Sequence, residues 1–101
     1  MALKVIWLPK AEQNFQSVID YLESNWTTKE VQNFVQLTDK TIQYIKIFPR
    51  LFRKYKKKNV FEALITKHNL MIYQIRNNQI EILTFFDTRQ HPKKKMKKCN
   101  D

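Results

Sequence analysis

The stretch that decides the fold runs from Thr66 to Lys94. It reads Thr66-Lys67-His68-Asn69, then Leu70-Met71-Ile72-Tyr73-Gln74-Ile75, then Arg76-Asn77-Asn78-Gln79, then Ile80-Glu81-Ile82-Leu83-Thr84-Phe85-Phe86, and closes on Asp87-Thr88-Arg89-Gln90-His91-Pro92-Lys93-Lys94. Two apolar runs flank Asn77-Asn78. Asn tolerates the positive φ that a two-residue hairpin loop needs, so the pair predicts a β-hairpin with strands near 70–75 and 80–86. In the last strand Ile80, Ile82 and Phe86 are expected to alternate with Leu83 and Phe85. Upstream, Val60 to Thr66 reads as another strand, with Lys67-His68-Asn69 as the turn. All three strands are apolar on much of both faces. One face must meet helices, and the other is too apolar to stay wholly wet, so it is expected to bind something.

The first half of the chain supplies the helices. Leu3 to Leu8 reads as a first strand, with Val5 and Trp7 on one face and Leu3, Ile6 and Leu8 on or near the other. Pro9 ends it and opens a helix without a side-chain cap. Phe15, Val18, Ile19, Leu22 and Trp26 follow helical spacing and predict a helix over 9–26. Thr27 and Glu30 have the spacing of a capping box, which starts a second helix near residue 28. Its apolar stripe is Val31, Phe34/Val35, Thr38, Ile42, Ile45 and Phe48, and Pro49 follows. Aromatic residues at helical spacing are core residues before they are a ligand pocket. The order is therefore strand, helix, helix, then a three-strand meander. This is an α+β, two-layer β-α-α-β-β-β fold: an antiparallel four-stranded sheet with a helical hairpin on one face. The first strand must return to the sheet beside either the second or the fourth, and the sequence does not choose.

One hundred and one residues make one domain, here 1–92, followed by a basic tail over 93–101 with too few apolar residues to pack, expected to be mobile. There is no Gly, which disfavours a Gly-rich phosphate loop. The single Cys, Cys99, can make no internal disulfide, which suits a reducing compartment. The apolar run Leu3–Leu8 is too short for a signal peptide or a membrane span, so a cytoplasmic protein without a membrane partner is expected. No pattern of metal ligands or cofactor motif stands out.

The net charge of +10 is lopsided. Residues 1–50 hold six Lys/Arg and five Asp/Glu, a balance of +1, whereas residues 51–101 hold thirteen and four, a balance of +9. A near-neutral half joined to a basic half suggests a scaffold and a working face for a polyanion or an acidic protein. The densest internal cluster is Arg50, Arg53, Lys54, Lys56, Lys57 and Lys58.

The segments Leu8-Pro9-Lys10-Ala11, Lys67-His68-Asn69-Leu70 and Asp87-Thr88-Arg89-Gln90 followed by Pro92 resemble those of toxins in the RelE/ParE superfamily of bacterial toxin–antitoxin systems, and look most like the ParE, or plasmid stabilisation, branch. The resemblance covers nearly the whole chain. It implies a growth-inhibiting toxin held inactive by a cognate antitoxin. RelE-like members cut mRNA on the ribosome; ParE-like members inhibit DNA gyrase and cleave nothing themselves. Cleavage through a 2′-hydroxyl needs a base, a cation for the crowded phosphate and an acid for the leaving oxygen. RelE-like cleavers often carry Arg just before the third strand, where this chain has Leu70. They also tend to place His, Tyr or Arg near the end of the fourth strand, where Asp87-Thr88 stand, followed by Arg89. An Asp beside a phosphate repels it. The nuclease set is thus incomplete.

Three readings remain: a ParE-like gyrase inhibitor, a metal-independent RelE-like endoribonuclease, and a basic nucleic-acid-binding domain with no toxin role. Candidate catalytic residues are Lys67, His68 and Arg89. Candidate target contacts are Arg53, Lys54, Lys56, Lys57, Lys58, Lys67 and Arg89. His68 also reads as a plain turn residue, and Asp87 with Arg89 as a strand-end ion pair. An acidic antitoxin is expected to dock near Tyr21, Leu37 and Tyr44, with its carboxylates at Arg53 and Lys54.

Overall fold

The computed structural model describes residues 3–89. The Gln90 and Pro92 of the closing motif and the tail 93–101, with Cys99, lie outside the described residues. The elements are β1 (Lys4–Trp7), α1 (Pro9–Asn25), α2 (Thr28–Ile47), β2 (Arg53–Lys54), β3 (Val60–Thr66), β4 (Asn69–Arg76) and β5 (Gln79–Asp87). The sheet order is β1-β5-β4-β3-β2.

The α+β class and the two-helix layer stand as expected, and two features of the sheet differ. The sheet has five strands rather than four, because Arg53 and Lys54 pair with Glu62 and Phe61 as a short antiparallel edge. It is also not wholly antiparallel. β1 lies beside the last strand and runs parallel to it, Val5 opposite Ile80 and Trp7 opposite Ile82. The crossover through both helices brings β1 back in the same direction as β5, which an adjacent hairpin connection could not do. Leu3, Val5 and Trp7 all lean on the core, so Leu3 shares a face with Val5 rather than opposing it.

Asn77 and Asn78 have φ of 53° and 60° and close a two-residue loop between paired Arg76 and Gln79. The other turn is shorter than expected: Lys67 and His68 form it, and Asn69 already opens β4. β4 and β5 slip register between Ile72 and Tyr73, whose partners are Thr84 and Ile82. Leu83 is the extra residue of this bulge. The slip puts Phe85, not Phe86, in the core with Ile80 and Ile82.

The helices bury Ala11, Val18 and Leu22 from α1, and Phe34, Thr38, Ile42 and Ile45 from α2. α1 starts behind Leu8 without a side-chain cap, and Thr27 caps α2 by accepting from the Glu30 N–H at 3.2 Å. Four rings tie the layers together. Phe15 of α1 lies 5.0 Å from Phe85 of β5 and 5.1 Å from both Phe34 of α2 and Trp7 of β1. Burying each such side chain stabilises by roughly 1.5–3 kcal/mol. Three residues assigned to the apolar stripes are instead exposed: Trp26, Val35 and Phe48. Trp26 and Phe48 sit at the C-caps, where the helices leave the core. The Phe34/Val35 ambiguity resolves to Phe34, which is four residues before Thr38 on the buried face. Thr38 tolerates burial because its hydroxyl donates to the Phe34 carbonyl at 2.7 Å.

Candidate functional site

The candidate residues fall at two ends of the sheet. β3 has seven residues, so its ends are roughly 20 Å apart. Lys56, Lys57 and Lys58 form the tip before β3, and Lys67 and His68 form the turn after it. Arg89 joins the second end, since the Thr88 N–H donates to the His68 carbonyl at 2.8 Å.

At that second end the polar groups are locked together. Asp87 is 0% exposed. Its carboxylate accepts from the Arg89 Nη2 at 2.9 Å, the Arg89 Nε at 3.1 Å, the Arg89 backbone N–H at 2.7 Å and the Asn69 Nδ2 at 2.7 Å. Thr66 in turn donates to the Asn69 Oδ1 and accepts from the His68 N–H at 3.1 Å. Burial would push the Asp87 carboxyl up, but the hydrogen bonds from Arg89 and Asn69 and the Arg89 charge outweigh it, so the group is held below its usual range. The Arg89 guanidinium is raised, chiefly by its hydrogen bond to Asp87. The same guanidinium lies 4.6 Å above the Trp26 ring and 3.8 Å from the Glu30 carboxylate. Arg89 therefore staples the end of β5 to the α1–α2 connection. The ion-pair alternative is the geometry observed. Lys67 is exposed and His68 is half-buried, with the backbone of His68 bonded on both sides.

The first end is a built hairpin rather than a loose loop. The Tyr55 N–H donates to the Val60 carbonyl at 2.8 Å and the Val60 N–H to the Lys57 carbonyl at 3.2 Å. Lys56 and Asn59 take φ of 59° and 66°. Arg50 donates to the Asn59 Oδ1 at 2.9 Å, and the Asn59 carbonyl accepts from the Ile75 N–H at 2.9 Å. Lys56 lies 5.2 Å above the Tyr55 ring. Arg53, Lys54, Lys56, Lys57 and Lys58 are all exposed.

The helix pair offers a third surface. Tyr21 and Leu37 are half-buried and lean on the core, whereas Tyr44 is 56% exposed. Tyr44 stacks edge-on with Phe48 at 5.5 Å, and with Ile47 and Leu51 it makes an exposed apolar patch at the end of α2. A groove of about 380 Å³ runs between β1 and α2, lined by Val5, Trp7, Phe15, Val35 and Ile42 among others. On the helix-free side of the sheet Leu64, Leu70 and Phe86 are cross-strand neighbours, and Leu64 is exposed.

Sequence reasoning missed Asn69 and Asp87 as a buried pair, because at a separation of eighteen positions neither carries a local sign of the other. It also missed Trp26 as a platform for Arg89 and the Ile47/Leu51 patch. Exposed apolar residues just past Phe48, at the helix end, were the available signal for the patch. Among the described residues no three His, Cys, Asp or Glu side chains gather as a metal site would require.

Residues 5–92 match the family model of the ParE toxin of the type II toxin–antitoxin system parDE. The chain belongs to the ParE toxin family. It is thus a toxin of a type II toxin–antitoxin system, within the RelE/ParE superfamily. Solved structures share the fold at low identity. A chain of the chromosomal ParDE system from P. aeruginosa is 12% identical with a TM-score of 0.71, over 85% of this chain and 96% of that one. The YoeB/ParE toxin from Agrobacterium tumefaciens is 12% identical with a TM-score of 0.64, over 84% and 98%. The YoeB–YefM complex from Staphylococcus aureus gives 17% and 0.58, over 84% and 95%. By sequence no curated protein matches. No helix among the described residues of this ParE-family chain is long and apolar enough to cross a membrane.

Proposed function

We propose that this toxin stops growth by binding DNA gyrase, without cutting nucleic acid itself, and that an acidic cognate antitoxin holds it inactive. The observation that carries the first part is the closure of Arg89 onto buried Asp87. A nuclease needs a free cation at the scissile phosphate, and both Arg89 nitrogens that bond Asp87 are spent on structure. Among the described residues, no ion pair joins Lys67 or His68 to an acid. The lysines that could hold RNA stand at the other end of β3. The contacts to gyrase, or to the DNA that gyrase holds, then come from Arg53, Lys54, Lys56, Lys57, Lys58 and Lys67.

The antitoxin reading is supported by the structural neighbours from the ParDE system and the YoeB–YefM complex. It is supported too by the net charge of +10 and by apolar side chains left open beside cations. Tyr21, Leu37 and Tyr44 would receive apolar side chains, and Arg53 and Lys54 would receive carboxylates.

Induced expression in bacteria tests the target. The expected result is an SOS response with intact mRNA. Rapid mRNA loss without DNA damage would establish the RelE-like nuclease instead and return Lys67 and His68 to catalytic roles. Binding to nucleic acid without growth arrest would leave only a basic binding domain.

A further inference from the structure

We infer that the tip of the β2–β3 hairpin is a binding site for the phosphate backbone of a nucleic-acid duplex. The inference goes beyond the gyrase reading and needs no gyrase to test. Three consecutive lysines, Lys56, Lys57 and Lys58, are exposed at the tip, with Lys54 on the adjoining strand. The ion pairs among the described residues both belong to Arg89, so these lysines have no acidic partner within hydrogen-bonding reach.

The backbone beneath them is held at fixed points. Arg50 bonds the Asn59 side chain, Ile75 bonds the Asn59 carbonyl, and the Val60 N–H closes on Lys57. Two non-Gly residues in this five-residue loop, Lys56 and Asn59, sit at positive φ. Such a conformation costs about 1 kcal/mol or more for a lysine and persists only when its surroundings hold it. A loop that served only to solubilise the chain would not need it. The cost keeps three ammonium groups on one projecting turn, and Arg76 follows the Ile75 that anchors it.

The side-chain chemistry selects the ligand. Lysine is a compact point charge suited to phosphate, without the planar fork that reads base edges. A single-strand site needs aromatic faces on which bases stack. The one aromatic residue of the tip, Tyr55, is half-buried and has Lys56 over its ring. A protein partner would find no apolar centre here, and lysine is depleted at such interfaces. The duplex backbone remains, read without sequence preference.

The test measures fluorescence anisotropy of a labelled 24-base-pair DNA duplex of mixed sequence, and of the matching RNA duplex, with the full chain made by cell-free synthesis. Salt is varied from about 50 to 200 mM, and the slope of log affinity on log salt reports about 0.9 per neutralised phosphate. The variant Lys56→Gln/Lys57→Gln/Lys58→Gln should flatten the slope by roughly 2–3 and weaken binding at least about tenfold at the lower salt. A control variant, Lys10→Gln/Lys29→Gln/Lys40→Gln, loses the same charge from the exposed helix surface and should leave the slope near that of the unaltered chain. The tail lysines are common to all three proteins, so they cancel in the comparison. An equal change in both variants would mean net charge alone is responsible and would overturn the site. So would an unchanged slope in the tip variant. So would displacement of the duplex by polyglutamate of equal charge at equal concentration, which would make the tip a site for acidic protein. The DNA and RNA arms show which duplex the tip prefers. All variants change exposed side chains and should keep the unaltered melting temperature, which is measured first.

Discussion

Replacing Arg89 by Ala should cost this toxin stability before it costs it anything else. Asp87 is fully buried and receives two side-chain hydrogen bonds from Arg89. Removing one partner of a buried ion pair leaves the other charge uncompensated, a loss of about 3–5 kcal/mol. The Trp26 contact at 4.6 Å adds up to roughly 1 kcal/mol, and the exposed Glu30 contact at 3.8 Å adds little. The expected total is about 4 kcal/mol. For a domain of this size that lowers the melting temperature by roughly 15–30 °C. The double variant Asp87→Asn/Arg89→Gln removes both charges while keeping two polar side chains, and should recover half or more of the loss. Urea denaturation followed by circular dichroism measures all three proteins. If Arg89→Ala stays within about 1 kcal/mol of the unaltered chain, the staple is not holding Asp87. Arg89 then becomes available to a phosphate again. The same pair predicts a pH dependence. The Asp87 carboxyl lies below its usual value in the folded state, so its contribution is present above about pH 4, the unfolded value, and is lost as pH falls through the lower folded one. The gap between the unaltered chain and the double variant should be flat from about pH 5 to 8 and narrow only in stronger acid.

Three further substitutions have definite expected outcomes. Tyr21→Glu/Tyr44→Glu should weaken binding of the proposed acidic antitoxin by at least tenfold in calorimetry; an equally tight complex would move docking to the sheet edge. Asn78→Val should destabilise by about 1–2 kcal/mol because a β-branched residue resists the φ of 60°, whereas Asn78→Gly should be neutral or stabilising by thermal melting. Tyr73→Phe should cost about 1–2 kcal/mol in urea titration, since the buried hydroxyl donates to the Pro49 carbonyl at 2.7 Å; a neutral change would show that the carbonyl finds water.

The parts of the fold that were legible in the sequence are those set by local chemistry. Asn77-Asn78 announces a positive-φ loop, Thr27 a helix cap, and Val18 and Leu22 a buried stripe, each through neighbours within a few residues. What stayed hidden was set by distant neighbours. Nothing near Lys4–Trp7 says that β5 will lie alongside, and nothing in Ile82-Leu83-Thr84 marks the bulge that moves Phe85 inward. Arg53-Lys54 is too short and too polar to read as a strand until Glu62 and Phe61 pair with it. The candidate site behaved likewise. Its cationic residues could be named from composition, but the commitment of Arg89 to Asp87, Glu30 and Trp26 depends on three elements meeting in space.

The parallel pairing of β1 with β5 also sets an order in time. Lys4 lies opposite Gln79, so during synthesis the first strand waits for a partner made 75 residues later. At about 5–20 residues per second that wait lasts several seconds. Over that interval Val5 and Trp7 have no β5 to lie against, and the Phe15–Phe85 contact does not yet exist. The sheet therefore closes only after β5 has left the ribosome, so the fold is completed by its last strand rather than strand by strand as synthesis proceeds.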